Sequence, residues 1–499
     1  MRSRHRPVLA LSAVGILVHT AVLLVAHWKT GTIDGYAFRS LDCGEYYTIA
    51  RNLVDHGAFS QSAEPPFLPD TWRTPGYPLF LATVMLLFGK SPLTLVFVQQ
   101  VLSVLNVLLV FRVARGWMSD SRAAVAALLF LLEPYHLFYS LWLLSTTWLV
   151  TLILLTWVTW STAIPSRLRT SRSGELRRFA LLGGLCGFLV LTWPGAILVP
   201  VAVFAGIGNE VRSSKFKVQR RIGRNATFCS SIFELRTLNF RSLSFIVVCF
   251  CVIGSWMIRN VQVAGRFALS HQSGIVLAYF KATEIVLWQA GRTADRYLET
   301  SLSGDRRDQP HPAWEAIDQR LQARFPDLPA ERRADLTWPN LAQGNRPEVE
   351  SFRISSELAS IAAEHLIEAP WSTLACCLAR CGSILTFPLD LALWPPNGVE
   401  VNRLRSAALG ALYLLLSVAV AVGLARRRIG FEAGYFPLAC TMALLLATTP
   451  QTDPRFRVPM IPLLIVVALL PGRRATREDR APDHPASTTG EPDTQEGPC

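Results

Sequence analysis

The residues best suited to chemistry fall in four separated stretches. In the first, Leu41-Asp42-Cys43-Gly44-Glu45-Tyr46-Tyr47 leads into Tyr46, Ile49, Ala50, Leu53 and Val54 at helical spacing and ends at His56-Gly57. That pattern predicts an amphipathic helix able to lie on a membrane, with Asp42 at or just before its first turn. A carboxylate there has two uses. It can cap the helix by accepting backbone N–H bonds, or it can take a proton as a general base, its basicity raised where it is half-sunk at an interface. Glu45 stands three residues on, so the two carboxylates could share a divalent cation. The second stretch, Asp70-Thr71-Trp72-Arg73-Thr74-Pro75-Gly76-Tyr77-Pro78, sets an arginine and an indole ahead of a proline-initiated apolar helix. Ser255-Trp256-Met257-Ile258-Arg259-Asn260 and Asp453-Pro454-Arg455-Phe456-Arg457-Val458-Pro459 bring further arginines. A single interfacial arginine ordinarily snorkels to headgroups. Three separate arginine sites on one side of a membrane instead point to a phosphate-binding rim, because guanidinium matches phosphate oxygens bidentately. Arg73, Arg259, Arg455 and Arg457 are the candidates.

The elements that carry these residues follow from composition and charge. Of 499 residues, 51% are hydrophobic and 17% charged, and the net charge is +13. That is too few charges for an ordinary soluble enzyme. The basic residues bunch between long apolar runs instead of lining one soluble face, so nucleic acid has no place among the partners. A first run, Val8 to Ala26, follows Arg2, Arg4 and Arg6; Leu24 stands where a signal-peptide cleavage site needs a small residue, so it reads as a retained anchor. Further runs are Leu93–Val113, Ala123–Tyr139, Leu141–Thr162, Phe179–Leu191, Ala196–Ile207, Leu243–Ile258, Ala407–Ala425, Tyr435–Thr448 and Met460–Leu470. The fold class is therefore an all-α polytopic membrane protein of about ten transmembrane helices, with outer-face interfacial helices and a mostly helical outer loop domain.

The domains divide as an N-terminal anchor (1–26), a first outer loop (27–91), a transmembrane core (92–258) and a large outer segment (259–405). C-terminal transmembrane helices (406–470) and a disordered cytoplasmic tail (471–499) complete the chain. Every loop assigned inward is basic, which satisfies the positive-inside rule with both termini cytoplasmic. Pro75 to Phe88 is short for a span and reads as interfacial. Phe179 to Ile207, broken at Trp193-Pro194-Gly195, is either a tight hairpin or a re-entrant pair, the topology favouring the hairpin. Trp371 to Leu393 is either a hairpin or a pair of interfacial helices. Asn225-Ala226-Thr227, a glycosylation acceptor pattern, falls in a basic inner loop and reads as chance. The ten cysteines show no metal spacing and read as free thiols.

The order Asp42…Tyr46…Ala50-Arg51-Asn52-Leu53…Gly57, then Arg73-Thr74-Pro75-Gly76-Tyr77-Pro78-Leu79-Phe80-Leu81-Ala82, then Trp256…Arg259-Asn260…Gly265, then Arg455-Phe456-Arg457-Val458-Pro459…Pro462 resembles the GT-C glycosyltransferases. Specifically, it resembles the bacterial branch similar to protein O-mannosyltransferases and aminoarabinose transferases. The resemblance spans about residues 8 to 470. It implies an inverting transferase of the cell membrane, of the bacterial inner-membrane kind. The donor would be a polyprenyl-phosphate-linked sugar and the acceptor a lipid, glycan or protein, with membrane lipids as further partners. Asp42 would be the catalytic base and Arg73, Arg259, Arg455 and Arg457 would hold the donor phosphate, with Glu45, Glu133, Tyr77 and Asn260 in support. No cofactor and no metal is required, the Asp42–Glu45 cation aside. Two positions depart from the family: Thr146 stands where relatives carry an acidic residue, for which Glu133 could substitute, and Trp193 stands where they carry arginine. Two alternatives are a transporter or flippase of lipid-linked sugars and a family member that has lost catalysis. Spans nearly free of ionisable residues weigh against transport.

Overall fold

The computed structural model describes residues 2–163, 172–208, 227–289, 312–337, 341, 351–386, 411, 413–423, 431–449 and 454–470. Among them there are helices and turns and no strand. Helix α1 (Arg2–Thr30) is followed by the short α2 (Asp34–Ala37), α3 (Leu41–His56) and α4 (Gly76–Phe88). Gly57, at φ 65°, closes α3 in the left-handed conformation that glycine adopts without steric cost. Then come α5 (Pro92–Arg115), α6 (Asp120–Leu131), α7 (Pro134–Tyr139), α8 (Thr146–Ala163), α9 (Arg172–Thr192) and α10 (Pro194–Gly208). After α11 (Thr227–Ala264), α12 covers 272–289 and widens to a π-helix at Val276–Ala282. The remainder is α13 (Pro312–Ala323), α14 (Ala330–Ala334), α15 (Ser351–Glu368), α16 (Pro370–Thr386), α17 (Tyr413–Gly423), α18 (Phe431–Thr448), α19 (Pro454–Arg457) and α20 (Ile461–Ala468).

Contacts between helices fix their directions. His19 of α1 meets Gln100 of α5 at 2.5 Å, and Gly15 lies against Val104, so these two helices are antiparallel. Glu175 pairs with Arg241 at 2.6 Å and Gly187 meets Val252, so α9 and α11 run the same way. They approach closely: a Cβ on Gly183 would lie 2.3 Å from the Phe245 carbonyl oxygen. At Trp193-Pro194-Gly195 the chain turns back. Trp193 stacks on Phe456 at 5.5 Å, whereas Gly206 lies against Trp160 and Tyr435 at the end of the bundle where Arg178 donates to the Thr162 carbonyl. The proline, lacking an N–H, ends α9 and opens α10 with a single 3₁₀ turn.

Four described helices are long and apolar enough, by length and composition, to cross a membrane: Arg6–Thr30, Pro92–Arg115, Thr146–Ala163 and Phe240–Ala264. Other apolar helices are shorter, including α4, α10 and α17. Two of the apolar runs divide. Ala123–Tyr139 splits at Leu132-Glu133, because Pro134 cannot continue α6 and Glu133 caps α7, its carboxylate accepting the His136 N–H at 2.5 Å. Leu141–Thr162 becomes helical at Thr146, since the Leu143 N–H is used by the Ala37 carbonyl. Leu17, Leu24, Val247 and Phe250 point outward from the bundle.

Beside the bundle core, a second core gathers Ile275 and Tyr279 of α12, Leu321 and Phe325, and Leu358 and Ile361 of α15. Trp72, from the loop before α4, belongs to this second core and ties that loop to its helices. The basic runs around Arg167, Arg212 and Arg426, the Asn225 pattern, Asp453, residues 387–405 and the tail from 471 lie outside the described residues.

Candidate active site

Asp42 occupies the first turn of α3 but does not cap it; Ser40 is the capping position and the Asp42 side chain is used elsewhere. Arg73 donates from NH2 to Asp42 Oδ1 at 2.5 Å, and Arg455 donates from NH1 to Oδ2 at 2.8 Å. The Nε of Arg73 donates to Glu45 Oε2 at 2.6 Å, so one guanidinium spans both carboxylates. The charge between Asp42 and Glu45 is thus that of Arg73. Far from snorkelling to headgroups, Arg73 is 5% exposed and lies 4.8 Å over the Tyr46 ring. Burial alone would raise the proton affinity of Asp42, but the Arg73 and Arg455 charges override it and hold the carboxyl well below the usual range. The expectation of a base strengthened by desolvation is therefore corrected for this state. Sequence shows that the residue sits at an interface and cannot show the two guanidinium groups brought to it.

Arg259, near the end of α11, donates to the Asp70 carbonyl at 2.7 Å and to Asn260 Oδ1 at 2.9 Å, and its guanidinium lies 4.7 Å over the Trp256 ring. It is thereby joined to the turn that carries Arg73. Asn260 is buried and donates to the Ala268 and Leu269 carbonyls, fastening the loop after α11. Ser270 and His271 of that loop reach back to residues 71 and 72. Ser270 Oγ donates to the Trp72 carbonyl at 2.5 Å, and His271 Nδ1 lies 2.8 Å from Thr71 Oγ1.

Arg457 does not join the Asp42 cluster. It is 2% exposed, 4.0 Å from the Tyr413 ring and 4.8 Å from that of Tyr135. Tyr413 donates to Glu133, which is buried. Arg457 therefore anchors α19 while Arg455, two residues earlier, reaches Asp42. Tyr77 is buried, donates to Gln99 Oε1 at 2.7 Å and packs edge-on to Tyr46 at 5.0 Å, so it backs the site from beneath. Thr146 is buried at the start of α8, and Trp193 stacks on Phe456, the neighbour of Arg455.

Two participants were not read from the sequence as site residues. Asp70 had a legible signal, a carboxylate three residues before Arg73 in a turn that ends in Thr-Pro-Gly. Tyr413 had none, since it lies in an apolar run far from Glu133. Among the described residues no group of three or more His, Cys, Asp or Glu is placed to hold a metal.

Residues 72–221 match the sequence model of the family described as dolichyl-phosphate-mannose-protein mannosyltransferase. Over this segment, about a third of its length, the chain is similar to that family. The matched segment begins one residue before Arg73 and includes Tyr77, Glu133, Thr146 and Trp193. No curated protein matches the chain by sequence. Among solved structures it is similar to the Archaeoglobus fulgidus oligosaccharyltransferase in complex with Zn and sulfate, at 13% identity and a TM-score of 0.48 over 92% of this chain. That alignment covers 48% of the archaeal enzyme, so this chain spans about half its length. It is also similar to ArnT from Cupriavidus metallidurans bound to undecaprenyl phosphate, at 14% identity and a TM-score of 0.38, covering 93% of this chain and 78% of ArnT. The arabinosyltransferase EmbB of Mycobacterium smegmatis aligns at 15% identity and 0.35 over 94% of this chain and 42% of its own.

Proposed function

We propose that this protein is a GT-C glycosyltransferase that moves a sugar from a polyprenyl-phosphate donor to an acceptor hydroxyl or amine, with inversion, at the outer face of a cell membrane. The observation that carries the reading is the Asp42–Arg73–Arg455 cluster, in which three distant parts of the chain meet at one end of an apolar helix bundle. The description of the family that matches around Arg73, with its dolichyl-phosphate donor, agrees with it.

The acceptor oxygen or nitrogen attacks the anomeric carbon, its proton passes to Asp42, and the bond from that carbon to the phosphate oxygen breaks with both electrons going to the phosphate. The leaving group is already anionic, so it needs fixed positive charge more than a general acid. Arg73, Arg455 and Arg259 supply that charge, while Arg457 acts through α19. The exposed Leu79, Leu86, Leu87 and Phe88 of α4 offer apolar surface to the prenyl chain. The acceptor is a lipid, glycan or protein. The protein is of the bacterial inner-membrane kind, with both termini cytoplasmic.

Before donor binds, Asp42 is a poor base because both its oxygens accept from guanidinium groups. A donor phosphate competes for those same groups. The Arg455 side chain is 27% exposed against 6% for Arg73, and Arg73 is also held by Glu45, so Arg455 is the one that turns to the phosphate. That exchange frees Asp42 Oδ2 and returns basicity to the carboxylate as donor binds. Donor therefore binds before the acceptor is deprotonated.

The test is sugar transfer by purified protein in lipid nanodiscs supplied with a polyprenyl-phosphate sugar, with mass-spectrometric identification of any polyprenyl phosphate that co-purifies. Folded Asp42→Asn protein is expected to retain the lipid donor and lose transfer. Transfer at the wild-type rate by that variant overturns the assignment of the base. Movement of the lipid-linked sugar between leaflets without transfer would instead establish a transporter.

A further inference from the structure

Asp70 connects two arginines that stand in unrelated stretches of sequence. Its Oδ2 accepts the Arg73 backbone N–H at 2.8 Å, and its Oδ1 accepts the Trp72 N–H at 3.3 Å and the Gln61 side-chain amide at 3.0 Å. Its carbonyl accepts Arg259 NH1 at 2.7 Å, and its own N–H donates to the Phe59 carbonyl at 2.8 Å. One residue therefore fixes both the backbone that carries Arg73 and the guanidinium of Arg259. A carboxylate that merely closes the turn would account for the bonds to residues 72 and 73. It would not account for the arginine brought from α11 onto the same residue.

We propose that Asp70 is a positioning residue that holds Arg73 and Arg259 at a fixed separation, so that one phosphate group meets both. The proposal rests on the transferase reading above and deepens it. Three N–H donors converge on this carboxylate, and they bind its ionised form more strongly, because protonation removes the charge and turns one acceptor position into a donor. The charged groups that face it are Arg73 and Arg259, which favour ionisation, and Glu45, which opposes it. Burial pushes the Asp70 carboxyl up to about 6 against the pull of the Arg73 and Trp72 N–H groups. A mildly acidic medium thus loosens the turn. A phosphodiester ligand keeps its single charge throughout that range, so the titration belongs to the protein.

The experiment measures binding of a farnesyl methyl phosphodiester to the full-length protein in nanodiscs, with thermal melting of each variant recorded alongside. Asp70→Asn is expected to weaken binding about tenfold near neutral pH, as displacement of a positioned group does. Wild-type affinity should fall between about pH 7 and pH 5, while that of Asp70→Asn stays level. Arg259→Lys should weaken binding too, and the double variant should be little weaker than the worse single one, the mark of a shared interaction. Equal binding by wild type and Asp70→Asn, at every pH, overturns the proposal and leaves Asp70 a turn cap, whatever the melting temperature does. Wild-type protein that binds no phosphodiester lipid at any pH overturns the transferase reading together with it.

Discussion

Asp42 and Asp70 stand close to the same arginine and respond to pH in opposite senses. Asp42 has its proton affinity lowered by folding, so its contribution to stability is complete above the unfolded carboxylate value of about 4 and is lost as pH falls through that value and below. Asp70, pushed up to about 6, binds its proton more tightly folded than unfolded, so its ionisation costs stability as pH rises from about 4 to 6. Melting curves across this range should separate the two: Asp70→Asn removes a destabilisation that develops between about pH 4 and 6, and Asp42→Asn removes a loss that develops below about pH 4. A wild-type profile unchanged by either substitution would refute both assignments. Asp42→Asn also places an amide between two guanidinium groups, at a cost of about 1.5–3 kcal/mol for a hydrogen bond to charge. Folding must therefore be measured beside turnover. The two arginines that hold Asp42 should differ in kinetics. Arg455→Gln should mainly raise the KM for donor, because Arg73 still orients Asp42, whereas Arg73→Gln should depress kcat as well. Equal effects on both constants from both variants would contradict the exchange of Arg455 from carboxylate to phosphate.

Helix packing holds these residues at their spacing, and the glycines show where it is tight. A Cβ on Gly76 would lie 2.4 Å from Thr192 Oγ1 and 2.6 Å from the Thr192 backbone nitrogen, so the start of α4 rests on the end of α9 with no room between them. Gly76→Ala should push α4 off α9 at a cost of about 1–3 kcal/mol and displace Arg73 just ahead of it. Gly44, on α3, has nothing within 4 Å of where its Cβ would stand. Gly44→Ala should stabilise by roughly 0.5–1 kcal/mol through helix propensity alone. Thermal melting of the two variants in one detergent checks the pair; the same sign for both would show that the α4–α9 contact is not as described. The boundaries of these helices are legible in sequence because they are set locally: Gly57 ends α3, Pro75 precedes α4, and Trp193-Pro194-Gly195 reverses the chain. Glu133 is legible only as a helix-end carboxylate ahead of Pro134, and its partner Tyr413 is 280 positions away. The Asp42–Arg455 pair joins residues 413 positions apart. No local pattern encodes such a pairing. The sequence leads one to expect a common side of the membrane for these residues, and packing of α19, with Arg457 buried against Tyr413 and Tyr135, brings Arg455 to the carboxylate.

On the scale of the whole molecule, the site residues gather at one end of the bundle and a group of arginines in or beside described turns lies at the other. Asp42, Glu45 and Asp70 lie with Arg73, Arg259 and Arg455, so acid and base nearly balance there. The far end carries Arg112, Arg115 and Arg122 around the α5–α6 turn, and Arg177, Arg178 and Arg241 where α9 and α11 begin their shared course. Arginine and lysine in short loops are retained on the cytoplasmic side, which is the asymmetry expected if the site faces outward as proposed. A lipid-linked sugar presented on the outer leaflet would then reach Arg455 without crossing the bundle. Glu64 is exposed in the loop at the site end, and Ser119 is exposed at the opposite end just before α6. In intact cells, Glu64→Cys should react with a membrane-impermeant maleimide above the background of the native cysteines, whereas Ser119→Cys should react only after the membrane is opened. If Ser119→Cys labels from outside and Glu64→Cys does not, the site faces the cytoplasm. An outer-face transfer reaction is then excluded even though the Asp42, Arg73 and Arg455 geometry stands.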